Sequence, residues 1–515
     1  MHDEVQTLSK TRLREHNVVV KDLRDVSVLV GYCYPSTYRA GMTGLATHLF
    51  YALLNDRTDV SCERYFRYDV PSPVHSLETS RPLSDNHIVA FSLTWEEDII
   101  NLIQMLELGS IAVEAKDRGN DSPIVLVGGP VVSSNPEPYV DFVDAFVIGE
   151  GDLVIHDIIN AVKNSSSRLI ALQELSEIPG VYVPAAEPSS VSRIIIDDLD
   201  SLPYPTSQII PEVKEDSHLA PVFGKSFLAE VTRGCGHSCK FCLIGHICRP
   251  RRIRSLERLK EIIVQGLESS PVKKVSLIGS SLGDHDGLTE LAHWVIGQGV
   301  ELSAPSLRAD SITPKLLEAF VKGGQRTLTI APEAGSLELR KLMGKGLDDE
   351  DIDRAVRIAK EAGYRAAKLY FIIGLPEESE EDIVAIARMV KQLAQTYGIR
   401  ITASVNPFVP KAHTRWEREV QPTVETLREK FKLIEAGLRN VPRVMVEGVD
   451  PRNARVQAAL SVGDRSIGRV IELAAKYGGL GGWRRAEKET GIQFLALGNE
   501  TRYADGRLPW SFISS

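Results

Sequence analysis

The sequence alternates short, continuously apolar runs with amphipathic helical patterns, in two separate series. The apolar runs of the first series are residues 27–33, 87–94, 123–129 and 144–151, and helical patterns stand at about 97–115 and 152–163. Apolar runs without polar alternation are typical of parallel strands that are covered on both faces. We therefore predict an α/β chain that begins with a Rossmann-like, flavodoxin-type parallel sheet over residues 1–165.

A second series of strand and helix patterns begins at residue 226. Its six apolar runs are residues 226–232, 273–279, 301–307, 326–332, 366–373 and 400–407. Six β/α units in succession predict a partial (β/α)6 barrel of the TIM type over residues 226–415, with its active site at the carboxyl ends of the strands. The proline- and serine-rich residues 166–225 are predicted to be a linker and embracing segment. Residues 416–515 have helical periodicity and no strand series, which predicts a mostly helical C-terminal region.

Composition and charge narrow the class of protein. The chain has 515 residues, of which 43% are hydrophobic and 25% charged, as is usual for globular proteins in solution. The net charge of −9 gives no electrostatic field that would attract nucleic acid. We therefore do not expect nucleic acid as a partner, although the net charge alone leaves that question open. No apolar run is long enough to span a membrane, and the polar start, MHDEVQTLSKTRLREHN, is no secretory signal. We therefore expect a cytoplasmic protein whose six cysteines serve metal or catalytic chemistry rather than disulfides.

Three of the six cysteines stand together directly after the first predicted barrel strand. In RGCGHSCKFC, Cys235, Cys239 and Cys242 have a Cys-x3-Cys-x2-Cys spacing. One interpretation is a zinc site completed by His237 or His246, but structural zinc usually takes four ligands from paired cysteine units. The other is a [4Fe–4S] cluster held through three of its irons, with the fourth iron open to a small-molecule chelate. The spacing favours the cluster.

The segment CGHSCKFC after a barrel strand resembles the signature of radical S-adenosylmethionine (SAM) enzymes. The resemblance implies that Cys235, Cys239 and Cys242 ligate a catalytic [4Fe–4S] cluster, whose open iron binds the amino and carboxylate groups of SAM. In this family the reduced cluster cleaves SAM into methionine and a 5′-deoxyadenosyl radical, which abstracts hydrogen from the substrate. The resemblance therefore also implies an electron donor such as ferredoxin or flavodoxin, and a substrate that the sequence does not identify.

Further motifs of the same family recur in order, and they imply SAM-binding residues. GSSLGD follows the second barrel strand and places Ser280 and Ser281 near the SAM amino group, although the family usually has Gly-Gly-Glu there. APEAGSLELRKLMGKG follows the fourth strand, and its Glu333 would accept hydrogen bonds from the ribose hydroxyls, unless it is simply a solvated helix start. FIIGLPEES follows the fifth strand and places Gly374 and Leu375 against the adenine.

Three more residues lie near these motifs, and two of them, Arg308 and Cys248, have two interpretations each. Phe241, just before the last cysteine of the motif, is included among the SAM-binding residues. Arg308 after the third strand would meet the SAM carboxylate as a guanidinium fork, or form a surface ion pair. Cys248 is either a hydrogen donor or methyl acceptor, or a small buried thiol.

The N-terminal domain resembles the cobalamin-binding domains that precede some radical SAM barrels. GGPVVSSNPEPYVDFVDAFVIGEGD carries this resemblance, but the Asp-x-His-x-x-Gly of such domains is replaced by Ser36, Tyr38 and Gly41. A phenol is a poor cobalt ligand, so cobalamin would be held without histidine ligation; a degenerate domain without cofactor is the alternative. The resemblance implies a corrin between this domain and the barrel mouth, with further cobalamin contacts at Thr94, Gly128, Gly129, Gly149, Glu150 and Gly151.

The resemblance spans residues 25 to 515 and covers a group whose reactions are largely unassigned. Our first hypothesis is a cobalamin-dependent radical SAM methyltransferase acting on an unknown substrate. The second is a methylthiotransferase that modifies tRNA or a ribosomal protein; it needs three more cysteines in the N-terminal domain, where only Cys33 and Cys62 occur. A radical SAM enzyme with a degenerate cobalamin domain and a non-catalytic binding protein complete the alternatives.

Overall fold

The computed structural model describes residues 13–67, 72–500 and 506–514. Most of the polar N-terminus, on which the prediction of no secretory signal depends, lies outside the described residues. Within them, no helix combines the length and the apolar character that crossing a bilayer requires. Both predicted series of strands are present, so the predicted α/β fold class is confirmed.

The N-terminal sheet has six strands in the spatial order β3-β2-β4-β5-β6-β7, preceded in the chain by the short β1 (Glu15–His16). All neighbours are parallel except β7, which runs antiparallel to β6. Its first five strands have the order 2-1-3-4-5 of flavodoxin-like sheets, as predicted. The strands are β2 (Val28–Tyr34), β3 (Val60–Phe66), β4 (Ile88–Ser92), β5 (Ile124–Gly128), β6 (Ala145–Val147) and β7 (Val181–Tyr182).

Strand β3 was not predicted, because charged residues interrupt its apolar pattern. Every residue of Val60–Phe66 is nevertheless buried. Arg64 forms ion pairs with Glu15 at 2.6 Å and with Glu78 at 2.7 Å, so its charge is compensated inside the protein. The predicted run 144–151 is also shorter in the structure, where only Ala145–Val147 pairs as a strand. The helices of this domain are α1 (Tyr38–Thr43), α2 (Leu45–Asn55), α3 (Asp98–Leu108), α4 (Pro130–Ser134), α5 (Ile155–Asn164) and α6 (Arg168–Ser176).

The linker region contributes two short strands that bind distant parts of the chain. Strand β8 (Val191–Ser192) pairs with the C-terminal strand Ile513–Ser514, and β9 (Ile210–Pro211) pairs with β1. The segment between the two domains therefore contacts both ends of the described chain, whereas α6 and β7, within the predicted linker, belong to the N-terminal domain.

The barrel consists of two four-stranded sheets that share one core. The sheet orders are β11-β10-β12-β13 and β14-β15-β16-β17, and only β11 is antiparallel to its neighbour. Buried residues of both sheets, such as Ala229, Leu277 and Leu369, belong to a single apolar cluster. The strands are β10 (Phe227–Arg233), β11 (Arg252–Ile253), β12 (Lys274–Gly279), β13 (Glu301–Ser303), β14 (Thr327–Glu333), β15 (Ala366–Ile373), β16 (Arg400–Pro407) and β17 (Val444–Glu447).

Two details of the barrel differ from the prediction. The third strand is short, since residues 304–307 leave the sheet. Strand β17 lies in the predicted helical C-terminal region, where it pairs with β16 and extends the barrel sheet beyond residue 415. The helices of this part are α7 (Ile244–Ile247), α8 (Leu256–Ser269), α9 (Leu288–Gly297), α10 (Pro314–Lys322), α11 (Leu337–Leu342), α12 (Asp349–Ala362) and α13 (Glu380–Tyr397).

The C-terminal helices connect the barrel to the N-terminal domain. They are α14 (Val424–Leu438), α15 (Pro451–Val462), α16 (Gly468–Tyr477) and α17 (Gly479–Thr490), and β18 (Ile513–Ser514) follows them. Helix α16 packs on α3, so that Leu460, Ile471 and Trp483 share an apolar core with Val89 of the N-terminal sheet. This packing fixes the N-terminal domain against the barrel.

Candidate active site

The cysteine motif lies on a loop, residues 234–251, that leaves the barrel at the carboxyl end of β10 and returns through β11. The neck of the loop is closed by antiparallel pairing of Arg233 with Arg252. Gly234 at the neck has a φ of +77°, and an added Cβ would lie 2.0 Å from the carbonyl oxygen of Cys248. Only glycine fits there, so the sequence Arg-Gly-Cys closes the loop and projects the thiols from the barrel.

The three thiols lie close enough to influence one another. Burial raises the pKa of Cys239 and of Cys242; the pKa of Cys239 is raised further by Cys242, and that of Cys242 by Cys235. No three His, Cys, Asp or Glu side chains in the described residues converge around one point as the ligands of a single ion would. Thiolates that bind three different irons of a cluster need not converge in that way.

The two histidines considered as zinc ligands contact other groups. The Nε2 atom of His237 lies 2.8 Å from Oδ2 of Asp284, in the loop after β12. The Nδ1 atom of His246 lies 2.7 Å from the carbonyl oxygen of Cys242. Both histidines therefore brace the cysteine loop.

A buried lysine that the sequence analysis missed stands beside the thiols. Lys345 is 9% exposed and donates to Oε1 of Glu333 at 3.0 Å. Its positive charge lowers the pKa of both Cys239 and Cys242 against the effect of their burial. The side chain of Arg308 donates to the carbonyl oxygen of Lys345 at 3.1 Å and also forms an ion pair with Asp310 at 2.8 Å, the contact that the sequence analysis gave as its alternative. A lysine between two glycines, Gly-Lys-Gly, was the available signal: both glycines have positive φ and turn the chain back toward Glu333.

Glu333 adopts a strained backbone conformation at the end of β14. Its φ is +70°, in the left-handed region that costs a non-glycine residue about 1–3 kcal/mol and is concentrated at functional sites. In this conformation the carboxylate of Glu333 forms an ion pair with Lys345. A solvated helix start, the alternative considered for Glu333, would need neither the strain nor the buried partner.

An apolar wall completes this side of the barrel mouth. Phe241 and Ile372 pack against a buried cluster made of Ala334, Leu339, Met343, Leu375, Phe408 and Trp416. The backbone amides of Gly374 and Leu375 donate to the carboxylate of Glu378, at 2.9 and 3.3 Å. Those two amides are therefore engaged within the protein, and only the side chain of Leu375 and the carbonyl groups remain for a ligand.

The loop after β12 offers one unsatisfied hydroxyl. Ser281 is buried, and its hydroxyl oxygen has no hydrogen-bond partner among the described residues. Ser280 beside it is exposed. A buried hydroxyl without a partner is costly unless a ligand satisfies it.

The glycines predicted to contact cobalamin mostly serve internal packing. An added Cβ at Gly129 would lie 2.5 Å from the carbonyl oxygen of Leu93, and one at Gly149 would lie 2.2 Å from that of Ile194. Both glycines have φ above +100°. Gly128 differs, because its nearest neighbour would be Val147 at 3.8 Å. At Gly129 and Gly149 the protein backbone therefore fills the space beside the glycine.

Side chains also fill the space at the two remaining glycines. An added Cβ would lie 2.5 Å from Phe66 at Gly41, and 3.2 Å from Phe50 at Gly151. Tyr38 is only 3% exposed and its hydroxyl donates to Glu15 at 2.6 Å, so it is a core residue. Its position excludes it as a ligand of any cofactor at the edge of the sheet.

Glu150 connects the N-terminal domain to the neck of the cysteine loop. Its carboxylate pairs with Arg252 and accepts a hydrogen bond from the amide of Ile196 at 2.7 Å. Asp152 pairs with Arg233 at 2.9 Å, on the other strand of the neck. The glycine-rich loop after β6 is thus joined by ion pairs to both strands of the barrel at the base of the thiol-bearing loop.

The carboxyl edge of the N-terminal sheet faces the barrel mouth. Helix α4, which follows Gly129, packs on α7, which follows Cys242. Glu96 forms an ion pair with Lys411 of the loop after β16. Thr94 is exposed at the same edge with its hydroxyl 3.0 Å from that of Tyr34, and the ring of Trp95 is 40% exposed.

Comparison with known proteins finds a matching family model for each half of the chain. The family model "Radical SAM proteins, N-terminal" matches residues 46–184, and "Radical SAM superfamily" matches residues 229–390. An uncharacterized protein of Methanocaldococcus jannaschii is 31% identical over 458 residues, which cover 88% of this chain and 92% of that protein. An uncharacterized methyltransferase of Pyrococcus horikoshii is 27% identical over 57% of this chain and 63% of its own length. A tRNA-2-methylthio-N(6)-dimethylallyladenosine synthase of Verminephrobacter eiseniae is 25% identical over 59% of this chain and 74% of its own length.

Two solved structures share the fold over most of the chain. TsrM of Kitasatospora setae, a radical SAM methyltransferase solved with cobalamin and a [4Fe–4S] cluster, superposes with a TM-score of 0.57 at 13% identity. The match covers 90% of this chain and all of TsrM. OxsB, a cobalamin-dependent SAM radical enzyme, superposes with a TM-score of 0.52 at 16% identity, over 91% of this chain and 71% of OxsB. At these identities the likeness is one of fold.

Proposed function

The chain belongs to the radical SAM superfamily, whose members use a [4Fe–4S] cluster and SAM, and from this premise we propose that it is a cobalamin-dependent methyltransferase. One observation carries the proposal: the carboxyl edge of the N-terminal sheet lies directly on the thiol-bearing loop, through the packing of α4 on α7. A cofactor at that edge would face the cluster. When bound, the cluster and SAM supply a radical at the substrate, and cobalamin supplies the methyl group.

In this proposal the three thiols hold the cluster as thiolates, which are the forms that bind iron. Burial opposes ionisation of Cys239 and Cys242, whereas Lys345 favours it. Lys345 thereby favours the thiolate forms of Cys239 and Cys242 that bind iron. An external low-potential donor such as ferredoxin or flavodoxin provides the electron.

The SAM site proposed here uses the groups that surround Lys345. Glu333 accepts hydrogen bonds from the ribose, and the nearby cations Arg308 and Lys345 are placed to meet the SAM carboxylate. The unsatisfied hydroxyl of Ser281 is a free partner for the SAM amino group. Phe241 and Leu375 provide an apolar wall for the adenine.

The residues of the N-terminal edge fit a corrin in part. Trp95 is 40% exposed and Thr94 beside it is exposed, so an indole ring and a hydroxyl are accessible at this edge. Gly128 leaves room for a ligand, and Gly129 does not. We therefore propose that cobalamin lies over Thr94, Trp95 and Gly128, without a ligand from Tyr38.

The methylthiotransferase alternative requires a second cluster in the N-terminal domain. The only cysteines there, Cys33 and Cys62, are fully buried on the neighbouring strands β2 and β3. Burial raises the pKa of both thiols well above its usual value. Two inaccessible thiols do not make a cluster site, so the arrangement favours methyl transfer.

Anaerobic reconstitution tests the proposal. The full chain, supplied with iron, sulfide and hydroxocobalamin and then desalted, should retain about four irons and one corrin, and cleave SAM when a reductant is added. Iron analysis, the visible spectrum of the retained corrin and mass spectrometry of the SAM products measure the three properties. A chain that retains iron and cleaves SAM but releases all cobalamin would refute the methyltransferase proposal while keeping the radical SAM assignment.

A further inference from the structure

A buried arginine at the junction of the two domains has no acidic partner among the described residues. Arg193 follows β8 and is 7% exposed. Its Nε atom has no hydrogen-bond partner among the described residues, and Nη2 makes one long contact of 3.4 Å with the carbonyl oxygen of Ser133. Burial lowers its pKa, and the only charge that acts in the opposite direction is the thiol of Cys248. The guanidinium is therefore desolvated without compensation from any described carboxylate.

The charges of two neighbouring arginines are each compensated by carboxylate partners. Arg233 pairs with Asp152 and Glu230, and Arg252 pairs with Glu150. A buried cation without a partner costs several kcal/mol. Arg193 is thus the exception within a region where the other buried arginines are neutralised.

A second orphaned polar atom faces the same region. His413, on the loop after β16, has a buried Nε2 atom with no hydrogen-bond partner among the described residues. Arg193 and His246 both lie near enough to lower the pKa of His413, which burial depresses most strongly, to about 4. His413 and Cys248 are themselves partly exposed, so solvent reaches this region.

The glycine-rich loop shapes this position. An added Cβ at Gly149 would lie 2.9 Å from Cγ of Arg193, so the missing side chain lets the arginine stem pass. Gly149, predicted from the sequence as a cobalamin contact, thereby places a guanidinium between the N-terminal sheet and the barrel mouth.

We propose that Arg193 and His413 form a binding site for an anionic group, a carboxylate or a phosphate, at the junction of the N-terminal domain and the barrel. A guanidinium presents parallel N–H donors that match either oxyanion, and His413 adds a further donor when its Nε2 atom carries a proton. Two residues of the cysteine loop lie near the site, since Cys248 acts electrostatically on Arg193 and His246 acts on His413. A molecule held by its anionic end at Arg193 therefore lies beside the cluster loop.

The identity of that molecule rests on the proposed function. The anion belongs either to the substrate or to the phosphodiester of the cobalamin nucleotide. Both sources share the oxyanion chemistry, and the experiment separates them.

The test is calorimetric titration of the full, cluster-reconstituted chain with inorganic phosphate and with acetate, in a buffer free of other oxyanions. We expect saturable binding of at least one anion by the wild type. Arg193→Gln should weaken it by about tenfold or more, the usual worth of a charge-assisted hydrogen bond, and His413→Gln by a smaller factor. Arg465→Gln is the matched control, since Arg465 is an exposed arginine paired with Glu137 outside this region.

Thermal unfolding distinguishes a binding role from a structural one. Because Arg193 is an uncompensated buried cation, Arg193→Gln should leave the melting temperature unchanged or raise it in the absence of phosphate. A marked fall in the melting temperature would assign Arg193 to packing and overturn the proposal. Absence of saturable anion binding by the wild type, or equal binding by Arg193→Gln, would overturn it as well.

Loading the chain with cobalamin separates the two sources. If the nucleotide phosphate occupies the site, cobalamin abolishes phosphate binding and Arg193→Gln loses cobalamin retention. If a substrate anion occupies it, phosphate or acetate still binds to the cobalamin-loaded chain. Iron content and SAM cleavage, measured on the same preparations, report failure of the proposed function independently of anion binding.

Discussion

The barrel mouth and the edge of the N-terminal sheet were both predicted from sequence to bind cofactors. In the structure, the predicted residues of the two regions have different surroundings. At the barrel mouth, Arg308 and Glu333 both lie near enough to act on Cys239 of the loop that carries the thiols. At the sheet edge, Tyr38 is a core residue, and most of the predicted glycines face protein atoms. The chemically active side chains of the barrel mouth therefore lie near one another, whereas the glycines of the sheet edge lie where the backbone is crowded.

The physical reason lies in what each residue type can do. A carboxylate or thiol that is buried beside a cation is explained poorly by packing alone, because its desolvation must be offset. A glycine with positive φ is required wherever two backbones approach, with or without a ligand. Gly129 and Gly149 belong to the second kind, and Gly128 alone retains space for a ligand.

Among the experiments that test the difference between the two regions, removal of the three thiols should have the largest effect. Replacing Cys235, Cys239 and Cys242 together by alanine should abolish iron binding and reductive SAM cleavage, because no thiolate remains to hold the irons. Iron analysis after anaerobic reconstitution measures the loss. Retention of the wild-type iron content by this variant would break the assignment of the barrel site.

The matched controls for this experiment are the two cysteines of the N-terminal domain. Cys33→Ala and Cys62→Ala should keep the iron content unchanged, since both thiols are enclosed in the sheet. Iron loss in either single variant would return the methylthiotransferase alternative to first place.

A pair of adjacent glycines tests the interpretation of the sheet edge. Gly129→Val should lower the free energy of unfolding by about 3 kcal/mol or more, because it adds strain at positive φ to a clash with Leu93. Gly128→Ala should change stability little and, if the corrin lies there, reduce cobalamin retention. Urea unfolding and the spectrum of retained corrin measure the two effects. Equal stability of the two variants would show that the edge is open rather than packed.

The SAM site is tested through the strained carboxylate. Glu333→Ala removes an acceptor for charge-assisted hydrogen bonds worth about 1.5–3 kcal/mol each, so SAM affinity should fall by about tenfold or more while the iron content persists. Equilibrium dialysis with SAM on the reconstituted chain measures the change. Glu338→Ala, on the exposed face of the following helix, is the control and should bind SAM normally. Unchanged affinity in Glu333→Ala would place the ribose elsewhere.

The sequence predicted the two strand series, because continuous apolar runs report directly on local structure. The SAM-binding residues that its motifs indicate, Glu333 among them, stay predictions. The sequence analysis missed β3, where the internal partners of Glu63 and Arg64 are distant in the chain. It missed Lys345 and Arg193 for the same reason. Their roles arise from the atoms placed beside them, and no spacing along the chain encodes those neighbours.

The smallest predicted effect concerns a carboxyl group at the sheet edge. Burial, together with the charges of Glu96 and Asp98, raises the pKa of Glu97 from 4.5 to about 7. Between these values the folded chain holds a proton that the unfolded chain has released, so stability falls as the pH rises through this window and changes no further above it. Glu97→Gln should remove this contribution, and its melting temperature should decline less than that of the wild type between pH 5 and pH 8, by roughly 2 °C. Parallel scanning calorimetry at the two pH values measures the difference. Identical declines would show that solvent reaches Glu97, and that the edge beside Trp95 is wetter than the packed glycines around it indicate.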